Sequence, residues 1–175
     1  MTFVGLRTKL ESYFNCPSSI WSYKKASIMY IQKLIVVSDA SCFVSGAHKP
    51  GRSGRGKAAC GVVFLAEIKN IDNLIGEKGR HLGEMTVPEA EYSGLIFALD
   101  CASEYCRNEI EVWLDSELVV RHLNGTYRLK AKNLRPLFDK VKSLESRYKL
   151  VTYFHHSRDN DIAKKADSVA KQFQN

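Results

Sequence analysis

Hydrophobic and polar positions follow two different periods along this chain. Leu34 to Val44 is β-branched and apolar, and Ala59 to Leu65 is a second such run. Short runs rich in Val and Ile read as buried strands. Gly46 to Lys57 between them is turn-rich and basic, so the pair reads as a hairpin with a long loop. A polar stretch then extends to Gly79, and only a weak third strand is predicted near 80–85. Helical spacing takes over from Pro88 to Tyr105 through Ala90, Leu95, Ala98, Leu99 and Ala102. Ile110 to Leu114 is strand-like, and Glu117 to Leu123 is a short helix stopped by Asn124-Gly125. Leu134 to Leu144 is helical, Leu150 to His155 is a strand, and Asp161 to Phe173 is a final helix. This order predicts an α/β chain, a mixed sheet with helices on its faces.

The pattern before Leu34 is different. Phe3, Leu6, Leu10, Tyr13 and Phe14 recur near helical spacing, which makes 3–14 a candidate basic amphipathic helix, and Cys16-Pro-Ser-Ser breaks it. Residues 1–33 read as a basic appendage and 34–175 as one domain. An organelle transit peptide has a similar basic, acid-poor composition and stays open for the appendage.

The chain has 175 residues, 45% hydrophobic and 26% charged, enough for one domain with a sizeable core. Its longest apolar run, Ala58 to Ala66, is far below the roughly 18 residues of a membrane span, so no membrane association is expected. Five cysteines without CxxC spacing argue against a disulfide scaffold or zinc site and fit a reducing cytoplasm. The net charge of +7, of which 1–33 carries +4, makes a polyanionic partner plausible.

Several motifs lead nowhere. Gly51-Arg-Ser-Gly-Arg-Gly56-Lys57 nearly spells a phosphate-cradling loop, but Ala58 lacks the required hydroxyl and a strand follows where a helix should start. His155-His156 is not a zinc pair, because neighbours on a strand point to opposite faces.

The acids are more informative. Asp39 lies in an apolar strand on the parity of Ile35, Val37 and Phe43, where a lone charge is costly without partners or a metal. A strand-end turn is the alternative. Asp115 closes a strand before a helix and could cap it, although Ser116 could do so instead. Thr86 and Glu89 spell a capping box, which leaves Glu91 without a structural task. Asp167 sits beside the stripe Ala163, Ala166, Ala170 and Phe173. Four such acids suggest a site for a hard cation, with Mg²⁺ favoured by oxygen ligands.

These residues resemble the ribonuclease H family, type 1. The matching pieces are Val36-Val-Ser-Asp39-Ala-Ser41, Gly61-Val-Val, Thr86-x-x-x-Ala90-Glu91-Tyr92, Trp113-Leu-Asp115-Ser116, Leu123-Asn-Gly-Thr-Tyr127 and Ala166-Asp167-Ser-Val-Ala170. Each piece is common, but their order and separation over about 34–173 are specific. The resemblance implies a five-stranded mixed sheet with the first three strands antiparallel, flanked by helices. It also implies hydrolysis of the RNA strand of RNA–DNA hybrids with two Mg²⁺ ions, Mn²⁺ being able to substitute, and 5′-phosphate and 3′-hydroxyl products. The family's metal-binding catalytic acids would fall on Asp39, Glu91, Asp115 and Asp167. Its mobile histidine would be His155 or His156, with His156 slightly favoured. Substrate contacts would fall on Ser41, Thr86, Ser116, Arg128, Lys130 and Lys132. The expected protein is a cytoplasmic monomer. A silent nucleic-acid-binding module, or the same chemistry on another nucleic acid, stays open. The chain departs from the family at Ala40, where a glycine is usual, and at Val87-Pro88, where asparagines help read the hybrid's minor groove.

Overall fold

The computed structural model describes residues 31–43, 54–68, 71–157 and 161–174. The expectations for 1–30 and for most of the basic hairpin loop lie outside these residues. Ten elements follow in chain order. They are β1 (Lys33–Phe43), β2 (Gly56–Ile68), β3 (Ile71–Met85), α1 (Val87–Ala102), β4 (Glu109–Leu114), α2 (Glu117–Leu123), a 3₁₀ turn (Lys132–Leu134), α3 (Arg135–Glu145), β5 (Leu150–His155) and α4 (Asp161–Gln172). Among the described residues no helix is long and apolar enough to cross a membrane. Cys42, Cys60, Cys101 and Cys106 are free thiols.

The strands form one sheet in the order β3-β2-β1-β4-β5. β1 pairs antiparallel with β2, and β2 antiparallel with β3. β1 and β4 are parallel, as are β4 and β5. β1 is therefore central and covered on both faces, which explains its nearly continuous apolar run. Leu34 and Val36 join the main core with Val62, Phe64, Leu95, Leu99 and Val112. On the opposite face Val37, Val63 and Leu65 form a smaller cluster with Ala166 of α4, against which Ile35 and Trp113 pack.

Three boundaries differ from the sequence expectation. β3 spans fifteen residues rather than a weak strand near 80–85. As an edge strand it draws its order from the ladder to β2, so it needs no apolar alternation of its own. α1 ends at Ala102, short of Tyr105, whose ring instead packs on Phe64 at 4.9 Å between centroids. A 3₁₀ turn precedes α3, which begins at Arg135 with Pro136 in its first turn, where the missing N–H leaves no intrahelical bond unmade.

The placement of α4 matters most for function. Gly61 of β2 lies directly beneath it. A Cβ on Gly61 would fall 2.1 Å from the Ala166 carbonyl oxygen and 2.5 Å from the Ala170 nitrogen. Helix backbone therefore meets strand backbone, and the small residues Ala163, Ala166 and Ala170 form the buried stripe that allows it. Gly79, paired with Gly61 across the ladder, would carry its Cβ 2.3 Å from the Phe173 ring.

Backbone cannot swing aside as a side chain can, so the two glycines should differ in tolerance. Gly61→Ala is expected to cost about 3 kcal/mol by overpacking, and Gly79→Ala about 1 kcal/mol, because the ring of Phe173 near the chain end can move. Urea unfolding of both variants checks this order. Equal losses would mean that α4 is not seated on the Gly61 backbone.

Candidate active site

Parallel register brings two of the predicted acids together. Ser38 of β1 pairs with Leu114 of β4, and the next residues are Asp39 and Asp115. Leu114 also pairs with His155 of β5, and the His156 N–H donates to the Leu114 carbonyl at 3.0 Å. Where the parallel ladders end, β1, β4 and β5 thus present Asp39, Asp115 and the two histidines along one edge, near the usual position for ligands on open α/β sheets. α4 crosses above them. A cavity of about 460 Å³ opens there, lined by Asp39, Ser41, Asp115, His156 and Asp167, with Val87 from the start of α1 and Lys164 and Lys171 from α4.

Glu91 occupies an adjoining recess with Ser38, Asp115 and Ser116. The Ser116 hydroxyl donates to Glu91 Oε2 at 2.5 Å and accepts from the Val119 N–H at 3.5 Å. Ser116 thus caps α2 and orients Glu91 at once, so the capping role open for Asp115 belongs to its neighbour. Glu89 makes the reciprocal capping contact, accepting from the Thr86 N–H at 2.9 Å. It also accepts from Arg55 at 3.1 Å and Asn133 at 3.0 Å. These donors, Thr86 first and Asn133 next, hold the Glu89 carboxyl below the ordinary carboxylate range.

Asp167 is partly buried on α4 and accepts from Lys171 one turn later at 2.6 Å. That bond, together with the charge of Asp167 and a smaller effect of Asp39, raises the Lys171 ammonium above its ordinary pKa. His156 is buried, with Nδ1 3.1 Å from the Ser157 carbonyl oxygen and Nε2 buried without a partner. His155 is exposed, and its Nε2 lies 3.2 Å from the Asp115 carbonyl oxygen. The Ser41 hydroxyl is likewise buried without a hydrogen-bond partner. Arg128, Lys130 and Lys132 are exposed on the connection after α2 and do not line the cavity. Sequence reasoning missed the Ser116–Glu91 bond and the two cavity lysines. The i, i+4 spacing of Asp167 and Lys171 was the readable signal.

The donor set fits a hard divalent cation in kind, since it consists of carboxylate oxygens. Among the described residues no three His, Cys, Asp or Glu side chains stand ready together around an ion.

A mixed sheet in this order, with Asp39 and Asp115 where the parallel ladder of β1 and β4 ends, defines a ribonuclease H-like α/β domain. The chain belongs to the reverse transcriptase-like family, whose pattern matches residues 49–173. It is 29% identical over 122 residues to ribonuclease HI of Halobacterium salinarum, spanning 62% of this chain and 60% of that protein. The solved structure of RNase H1 from that archaeon matches 80% of this chain and 96% of its own, with TM-score 0.67 and 25% identity. LC11-RNase H1, solved in complex with an RNA/DNA hybrid, matches 81% of this chain and 96% of its own, with TM-score 0.66 and 28% identity. A bifunctional protein of Mycobacterium tuberculosis is 32% identical over 104 residues, 59% of this chain. The match spans only 27% of that mycobacterial protein and 60% of the halobacterial one.

One buried histidine makes the support beneath Glu91 sensitive to pH. His122 of α2 is buried, with Nδ1 3.1 Å from the hydroxyl of Tyr92, the residue after Glu91. Burial lowers its pKa from the ordinary 6.5. The unfolded chain therefore takes up this proton first as pH falls, so stability is full above 6.5 and declines below it. The melting temperature should drop between pH 7 and 5.5, and His122→Gln should flatten that drop. An unchanged slope in the variant would place the effect elsewhere.

Proposed function

We propose that this protein is a metal-dependent endonuclease that hydrolyses the RNA strand of RNA–DNA hybrids. The observation that carries this reading is the cavity lined together by Asp39 of β1, Asp115 just after β4 and Asp167 of α4, where the parallel ladder ends, with Glu91 in the adjoining recess. Similarity to ribonucleases H1 supports it. Asp39, Asp115, Asp167 and Glu91 would hold two Mg²⁺ ions, Mn²⁺ being able to substitute. Bound there, the metal supplies a Lewis acid for the phosphoryl oxygen and a water of lowered pKa. The remaining work falls to the chain. Ser116 fixes the rotamer of Glu91, as outer partners of metal ligands do. His156 Nε2, buried at the cavity without a partner, is the atom that would carry a proton to the departing 3′ oxygen or product. Ser41 and Thr86 would meet the hybrid beside the cavity, while Arg128, Lys130 and Lys132 would meet its phosphates from their exposed connection.

A second reading, the same chemistry on another nucleic acid, rests on Val87. This side chain is exposed and lines the cavity, yet has no amide with which to read a minor groove.

Asp115→Asn should lower the rate on labelled hybrid by about 100-fold or more while leaving the melting temperature nearly unchanged, because an amide is a poorer ligand for Mg²⁺. Glu89→Gln should show the reverse pattern. It should lose about 1 kcal/mol of stability with the cap, and little rate. Comparable rate losses in both would move the site away from the cavity.

Substrate choice can be tested with hybrid, double-stranded RNA and double-stranded DNA, each with Mg²⁺, Mn²⁺ or EDTA. We expect metal-dependent cutting of the RNA strand of the hybrid only. Binding should weaken as salt rises, and replacing Arg7, Lys9, Lys24 and Lys25 of the basic appendage with glutamine should make the salt slope shallower. Equal cutting of the DNA strand would favour the second reading, and an unchanged slope would remove the appendage from substrate binding.

A further inference from the structure

Lys164 and Lys171 bring positive charge to the cavity from α4. Lys164, Asp167 and Lys171 follow one another at helical spacings of three and four, so they share a face, and all three line the cavity with Asp39 and Asp115. Lys164 is 3.5 Å from Asp161, a loose exposed contact. Lys171 is different, since its ammonium is 2.6 Å from Asp167 and close enough to Asp39 to feel its charge. Lys165, one position from Lys164, turns away to Glu77 of β3 at 3.1 Å and is not part of the cavity lining.

Resting on the proposed metal-dependent reading, we propose that Lys171 is a positioning residue, a built-in counter-cation that neutralises Asp167 in the metal-free protein and must yield it to the divalent ion. Two consequences have opposite signs. While Lys171 holds Asp167, a metal must displace it, so the lysine weakens metal binding. Once displaced, the ammonium stands beside the cavity with no carboxylate to satisfy, and a phosphate oxygen of the nucleic acid is the natural replacement. The lysine then favours substrate. Its long, flexible stem allows this exchange without movement of the helix. The site is thereby kept folded before metal arrives, since repulsion between Asp39, Asp115 and Asp167 is partly offset.

The test uses the full chain and two readouts. Mn²⁺ alone is titrated calorimetrically into the wild type and into Lys171→Gln, Lys171→Arg, Lys165→Gln and Asp115→Asn. KM for a labelled hybrid is then measured at saturating Mg²⁺. Lys171→Gln is expected to bind Mn²⁺ about threefold more tightly, the ratio that an exposed ion pair can be worth, and to show a raised KM. Lys171→Arg should retain wild-type values for both. Lys165→Gln removes the same charge six residues away, outside the cavity lining, and should change Mn²⁺ affinity little. A merely structural role for Lys171 would loosen metal and substrate together. Unchanged or weaker Mn²⁺ binding in Lys171→Gln, with binding lost in Asp115→Asn, would overturn this inference alone. Wild-type Mn²⁺ binding in Asp115→Asn would overturn both the inference and the metal reading on which it rests.

Discussion

The backbone of α4 rests on the backbone of β2 at Gly61, and the geometry of the acid cavity depends on that contact. Gly61 is the register partner of Asp39 on β1. The helix that carries Asp167 is therefore seated one strand away from Asp39, with which Asp167 lines the cavity. A methyl group at position 61 would collide with the Ala166 carbonyl and the Ala170 nitrogen, neither of which can rotate out of the way. Alanines along the buried stripe of α4 serve the same end, since larger side chains would hold the helix off the sheet.

A second constraint is electrostatic. Like charges gathered at the end of a sheet repel, and burial strengthens that repulsion by lowering the local dielectric. The structure moderates it with short local bonds. Ser116 donates to Glu91, and Lys171 donates to Asp167. Glu91 also lies near the beginning of α1, where the helix dipole favours an acid. Glu89 stands apart from this group, since its own donors, Thr86, Asn133 and Arg55, hold it at the start of α1. Two glutamates separated by one residue are thus held differently, one in the cap of α1 and one by Ser116 in the recess beside the cavity.

The histidines divide in a similar way. His122 and Tyr92 join α2 to α1 inside the core and fix the base on which Glu91 and Ser116 stand. His156 is buried at the cavity, while His155 is exposed beside the start of α2. His156 follows the last residue of β5, and its N–H is tied to the Leu114 carbonyl.

Much of this was legible in the sequence because it is local. The apolar run of β1, the Thr86–Glu89 cap, the stop at Asn124-Gly125 and the alanine stripe of α4 each declare themselves within a few residues, through side-chain periodicity or a single hydrogen-bonded turn. The order and spacing of the short motifs around Asp39, Glu91, Asp115 and Asp167 carried the family likeness, each motif being legible by itself. The length of β3 was hidden, because an edge strand is stabilised by its partner's ladder rather than by its own side chains. Ser116 beneath Glu91 and the seat of α4 on Gly61 were also decided only in three dimensions. Both contacts join residues 25 or more positions apart, and both take their meaning from which strand lies beside which. That choice is made by parallel register and backbone packing, and a window along the chain contains neither.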